Sequence, residues 1–205
     1  MDFELNKEQK MIKKVVHDFA ENEVEPIAAE IDETHEFPKE NVAKMAKADM
    51  LGIPIPQEYG GAGADTLSYA LTVEELSYSC ATHGVICSAH TSLCCDPIYK
   101  YGTEEQKEKY LKPLAKGELL GAFGLTEPNA GTDAGSQKTT AVLDGNEYVI
   151  NGNKIFITNA GEADVFVVTA MTDPSKGTRG ISAFIIEADT PGFNLGKKED
   201  KMGIN

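Results

Sequence analysis

Ile12, Val15, Val16 and Phe19 recur at helical spacing behind Asn6 and Gln9, whose three-residue separation has the form of a capping box. The chain therefore opens on an amphipathic helix. Pro26 suits the first turn of a second helix with Ile27 and Ile31 on one face. Pro38 opens a third, striped by Val42, Met45 and Ala46, and Gly52 is expected to end it as a left-handed cap. The Pro- and Gly-rich run from Ile53 to Gly63 predicts a loop. Thr66 or Ser68 is expected to cap a fourth helix running toward Cys80. Helix continues from about Ala81 to Cys95, with Pro97 as an interruption. Thr103 and Gln106 repeat the capping-box spacing before Lys107 to Lys112, and Pro113 and Gly117 close that element.

From Gly121 the period changes from helical to alternating. Thr139 to Val142, Tyr148 to Ile150, Lys154 to Thr158, Val165 to Ala170 and Gly180 to Glu187 read as strands. Asp144-Gly145 and Asn151-Gly152 supply turns between the first three. Strands joined this way predict an antiparallel sheet or small barrel. The expected fold is α+β, an all-α unit (1–118) followed by an antiparallel, barrel-like β unit (119–205).

Composition narrows the function classes. Nineteen Lys and Arg against 33 Asp and Glu give a net charge of −14, which repels a phosphate backbone, so no nucleic-acid partner is expected. An anionic ligand would need local donors such as backbone N–H groups and hydroxyls. No apolar run approaches the roughly 18 residues of a membrane span, so no membrane partner is expected. The acidic start Met1-Asp2-Phe3-Glu4 is unlike a secretory or transit peptide, and the expectation is a cytoplasmic protein with reduced cysteines.

Two segments carry candidate chemistry. In Phe123 to Asp133, Ala130-Gly131-Thr132 follow a bend at Pro128 and offer N–H groups and a hydroxyl. They suit either a pyrophosphate or polar ring edge, or simply a turn. In Lys154 to Asn159, strand alternation would send Phe156 and Thr158 to one face, an aromatic plane beside a hydroxyl. That suits a planar heterocycle, or simply a core strand. Cys80, His83, Cys87, His90 and Cys94 follow helical spacing and could form a stripe of soft ligands. Two successive turns cannot wrap one ion tetrahedrally, so a packed face and no metal are expected. Gly60 to Gly63 contains GxG without a preceding strand and is no dinucleotide fingerprint.

Taken together and in this order, Leu125-Thr-Glu-Pro-Asn-Ala-Gly-Thr-Asp133, Val149-Ile-Asn-Gly-Asn-Lys-Ile-Phe-Ile-Thr158 and Phe184-Ile-Ile-Glu-Ala-Asp-Thr-Pro-Gly192 resemble the acyl-CoA dehydrogenase family. Ser92-Leu-Cys-Cys-Asp-Pro-Ile98 and Pro56-Gln-Glu-Tyr-Gly-Gly61 look like its short-chain, butyryl-CoA type. The resemblance implies FAD as cofactor, with Phe123, Leu125, Thr126, Gly131, Thr132, Phe156, Ile157 and Thr158 as its contacts. It implies Thr132 near the thioester substrate as well, and Thr158 as a hydrogen-bond donor near flavin N5. Family members often carry Trp where this chain has Phe156, which keeps an apolar plane without the indole N–H. The implied reaction is α,β-dehydrogenation of a short-chain acyl-CoA to trans-2-enoyl-CoA, with an electron-transfer flavoprotein as acceptor and a homo-oligomeric assembly. The family's base is a carboxylate of a C-terminal helical bundle. Nothing here matches it, so no catalytic residue is assigned and the bundle is expected to be missing. Glu127 reads as structural, and the family pattern has Arg where this chain has Asn205. The competing expectation is a non-catalytic flavin- or CoA-binding module, or a scaffold, that needs a separate partner chain.

Overall fold

The computed structural model describes residues 4–204; the expectations on Met1 to Phe3 and on Asn205 lie outside them. Helix α1 (Lys7–Phe19) begins with the full capping box, in which Gln9 N–H donates to Asn6 Oδ1 at 2.8 Å and Asn6 N–H donates to Gln9 Oε1 at 2.9 Å. α1 runs without a break into α2 (Glu25–Thr34) through a π-helical stretch at Ala20–Val24. The same device recurs twice. A π stretch at Ala89–Cys95 joins α5 (Ala81–Ser88) to α6 (Asp96–Tyr101), and one at Lys107–Leu111 joins α7 (Glu104–Gln106) to α8 (Lys112–Ala115).

Each π stretch ends two residues before a proline: Pro26, Pro97 or Pro113. A proline inside a helix lacks an N–H and collides with the carbonyl four residues back. Widening the preceding turn to i→i+5 moves that carbonyl away. Pro97 therefore does not interrupt its helix, contrary to the sequence-based expectation. Pro113 likewise sits inside its helix, and Gly117, with φ 68°, is the residue that ends it.

Gly52 is not the cap of α3 (Lys39–Lys47). Asp49 takes the left-handed position with φ 56°, and Met50 N–H to Met45 O with Asp49 N–H to Ala46 O, both 3.0 Å, complete a Schellman motif. What Gly52 provides is space, because a Cβ there would lie 2.4 Å from Ala115 O. Helix α4 (Thr66–Ser79) is capped by Asp65 instead of Thr66 or Ser68. Asp65 accepts from Ser68 N–H and, through its other oxygen, from Gln9 Nε2, both at 2.7 Å. The cap of one helix is thus tied to the start of another.

The strands are β1 (Gly121–Gly124), β2 (Thr140–Asp144), β3 (Glu147–Asn151), β4 (Val165–Met171) and β5 (Ile181–Glu187). They form one five-stranded mixed sheet. β2–β3 and β4–β5 are antiparallel, whereas β1 pairs with β4 in parallel, Gly121 opposite Val165, and β2 meets the end of β4 in parallel at Thr140 and Met171. The purely antiparallel barrel expected from turn signals is thus corrected. Asp144-Gly145 does make its hairpin, with Gly145 at φ 62°. The strand expected at Lys154 to Thr158 is absent, so Asn151-Gly152 makes none.

β4 is buried on both faces. Val165 and Val167 pack with Cys94, Leu111 and Leu114 of the helices, while Phe166 and Val168 pack on the other side with Ala122 and Ala163. Each such side chain contributes about 1.5–3 kcal/mol on burial. This apolar run makes β4 the strand on which the helices and the sheet share a core. A second helical core lies around Val16, Met45, Leu51 and Leu76.

Candidate flavin-facing site

His90 fixes where β1 leaves the helices. Its Nδ1 accepts from Gly121 N–H at 2.9 Å, so the ring proton resides on Nε2, which donates to Leu114 O at 3.1 Å. The ring is fully buried, and burial holds its pKa down at about 4. The neighbouring thiols have partners of their own, Cys87 to Met50 O and Cys94 to Val165 O, and burial pushes both up to about 12. Among the described residues no group of His, Cys, Asp and Glu is disposed to hold a metal ion. The stripe is a packed face joining helix to sheet.

Beyond β1 lies a cavity of about 220 Å³. The sheet side of its wall is Phe123, Leu125 and Thr126, a second segment contributes Phe156, Ile157 and Thr158, and Ala89 and Leu93 close it from the helical side. Six of the eight candidate residues thus meet around one space. The other two, Gly131 and Thr132, are exposed on the turn that follows and do not line the cavity. A Cβ on Gly131 would meet nothing within 4 Å, so the protein itself does not require glycine there. Sequence reasoning did not assign Ala89 and Leu93, although Leu93 lies in the Ser92–Ile98 stretch that carried the short-chain likeness.

Phe156 and Thr158 reach the cavity by a different route from strand alternation. Phe156 has φ 57°, and the segment departs from extended geometry there. Phe156 is 68% exposed, so an apolar ring stands open to solvent at the rim of the cavity. The hydroxyls of Thr126 and Thr158 have no hydrogen-bond partner among the described residues. The cavity therefore presents apolar walls with two uncommitted hydroxyls.

Glu127 organises the loop behind this wall. It is 4% exposed, its Oε1 accepts from Thr139 N–H at 3.0 Å and from Lys154 Nζ at 2.8 Å, and its Oε2 accepts from Lys138 N–H. Burial alone would raise its pKa. The Lys154 ammonium and these N–H donors outweigh that and hold it at about 2. Both oxygens are committed, which leaves Glu127 a structural carboxylate. No helix among the described residues is long and apolar enough to cross a membrane.

A helical unit packs on a mixed sheet, and an apolar, hydroxyl-bearing cavity lies at their junction. The chain belongs to the acyl-CoA dehydrogenase family: residues 6–118 match the model of its N-terminal domain and residues 122–205 that of its middle domain. It is 66% identical over 204 residues to the short-chain-specific acyl-CoA dehydrogenase of Clostridium acetobutylicum, which covers 100% of this chain and 54% of that protein. The solved butyryl-CoA dehydrogenase of Megasphaera elsdenii matches with TM-score 0.96 and 50% identity, over 100% of this chain and 54% of that one. A structure described as an FAD complex of PigA matches with TM-score 0.92 and 36% identity, over 98% and 53%. The chain spans about half the length of the curated relatives it matches.

Proposed function

We propose that this chain builds the flavin-facing wall of an FAD-dependent short-chain acyl-CoA dehydrogenase. The observation that carries the reading is the cavity whose apolar walls bear the unpaired Thr126 and Thr158 hydroxyls. Its volume, about 220 Å³, is below the roughly 300–1,000 Å³ of a complete ligand pocket, so it fits one planar ring and not a whole dinucleotide. The exposed Gly131-Thr132 turn then suits the phosphates, which local N–H groups and hydroxyls must hold in so acidic a chain.

FAD, when bound, supplies the hydride acceptor for the substrate's β carbon. The chain's own contribution is position. Phe123, Leu125 and Ile157 exclude water, Phe156 gains a partner for its exposed ring, and the Thr158 and Thr126 hydroxyls donate to the polar edge of the ring. Thr132 is the residue we place near the thioester. The whole protein would remove an α proton and a β hydride from a short-chain acyl-CoA, giving the trans-2-enoyl form, and pass electrons to an electron-transfer flavoprotein. No carboxylate lines the cavity, and Glu127 is committed elsewhere, so the base is assigned to none of the described residues. We take residue 118 as the boundary between the helical and β units.

Thr158→Val tests the reading. Loss of one hydrogen bond should weaken FAD binding by about 1 kcal/mol, roughly fivefold, with thermal unfolding unchanged. Equal affinity in titrations followed by flavin fluorescence would remove Thr158 from the site.

A further inference from the structure

The Ile155–Thr158 segment faces the cavity without belonging to the sheet, and it contains Phe156 in the left-handed region at φ 57°. A β-free segment with a bulky residue at positive φ keeps one shape only if its surroundings impose it. Two side chains at its ends do so. On one side Lys154 Nζ donates to Leu125 O at 3.0 Å, Glu127 Oε1 at 2.8 Å and Gln137 Oε1 at 3.2 Å. On the other, Asn159, itself at φ 68° and 8% exposed, donates through Nδ2 to Gly121 O at 3.1 Å and Ile86 O at 3.2 Å. Both of those neighbours are carbonyls, so the amide nitrogen must face them. Between the ends, Ile155 N–H donates to Thr126 O at 2.8 Å.

We infer that Lys154 and Asn159 are positioning residues, which pin the two ends of this segment and set the distance between the Leu125–Thr126 and Phe156–Thr158 walls before any ligand enters. Lys154 binds the peptide carbonyl of the opposing wall directly, and Glu127 holds the ammonium in place. Asn159 anchors the far end to the first strand and to the helix that leads to Ala89. Neither side chain lines the cavity. Their effect on ligand is therefore indirect, and its flavin consequence rests on the reading under Proposed function.

Lys154→Met alone leaves a buried carboxylate unpaired and can fail to fold. The informative variants are the double Glu127→Gln/Lys154→Met, which removes both charges, and Asn159→Gly, which keeps the left-handed backbone and removes the amide. Hydrogen exchange without flavin reads the pinning. The peptide covering residues 154–160 should exchange about tenfold faster or more in both variants, with β4 and β5 unchanged. FAD titration reads the consequence. The double variant should regain most of the stability lost by Lys154→Met, yet bind FAD about tenfold more weakly than the unmodified chain. Unchanged exchange across 154–160 would overturn the inference, as would FAD affinity that recovers together with stability. If the unmodified chain takes up no FAD, the flavin reading falls, and the exchange result still decides whether the segment is pinned.

Discussion

Glu127→Gln removes a buried carboxylate that is bonded to the Lys154 ammonium and to the Lys138 and Thr139 N–H groups. The carboxylate sits at about 2 in the fold against an ordinary value of 4.5. At about 1.4 kcal/mol per pH unit, that displacement corresponds to about 3 kcal/mol of stability at neutral pH. The sign follows from a depressed pKa. The contribution is present above pH 4.5, where the unfolded carboxylate is also ionised, and is lost as pH falls toward 2, because the unfolded chain takes up the proton first. Linkage gives a loss of about 2 kcal/mol between pH 7 and pH 3. Urea unfolding of the unmodified chain and of Glu127→Gln should therefore differ by about 3 kcal/mol at pH 7 and by about 1 kcal/mol at pH 3. Taking the difference between the two proteins removes the other carboxylates from the comparison. A gap that stays constant from pH 7 to pH 3 would refute the assignment of Glu127 as an ionised, Lys154-paired group.

Two further outcomes test the interior. His83 is fully buried with neither ring nitrogen bonded, and burial holds it at about 4, so its folded form takes up protons later than its unfolded form. His83→Phe should raise stability at pH 5 by about 1–2 kcal/mol and flatten the decline between pH 6.5 and 4, as followed by thermal unfolding; a loss of stability at every pH would show that the ring has a partner. Cys87, Cys94 and Cys95 are buried free thiols, whereas Cys80 is partly exposed. Iodoacetamide should therefore label only Cys80 in the native chain, and elemental analysis should find no stoichiometric zinc.

What could be read in the sequence was mostly local. The capping boxes at Asn6/Gln9 and Thr103/Gln106 form as spaced, because each is made within one turn of helix. The Asp144-Gly145 hairpin is equally local. Prolines 97 and 113 misled because the answering π turns lie upstream and leave no mark of their own in composition. The parallel pairing of β1 with β4 follows from His90 and the shared core, which no turn residue announces. Six candidate residues do gather at one cavity, yet the geometry behind Phe156 and Thr158 was hidden. Period-two alternation predicts a strand there, and the bonds that bend the chain away come from Leu125, Glu127, Gly121 and Ile86, all distant in sequence. Lys154 and Asn159 went unassigned for the same reason.

We propose that one planar flavin ring occupies the space between Leu125–Thr126 and Phe156–Thr158. A crystal structure of the chain soaked with FAD tests it most directly. The isoalloxazine should lie within van der Waals contact of Leu125 and Phe156, with the Thr158 hydroxyl within about 3 Å of a ring heteroatom. A ring bound elsewhere, or FAD held with this cavity empty, would contradict it.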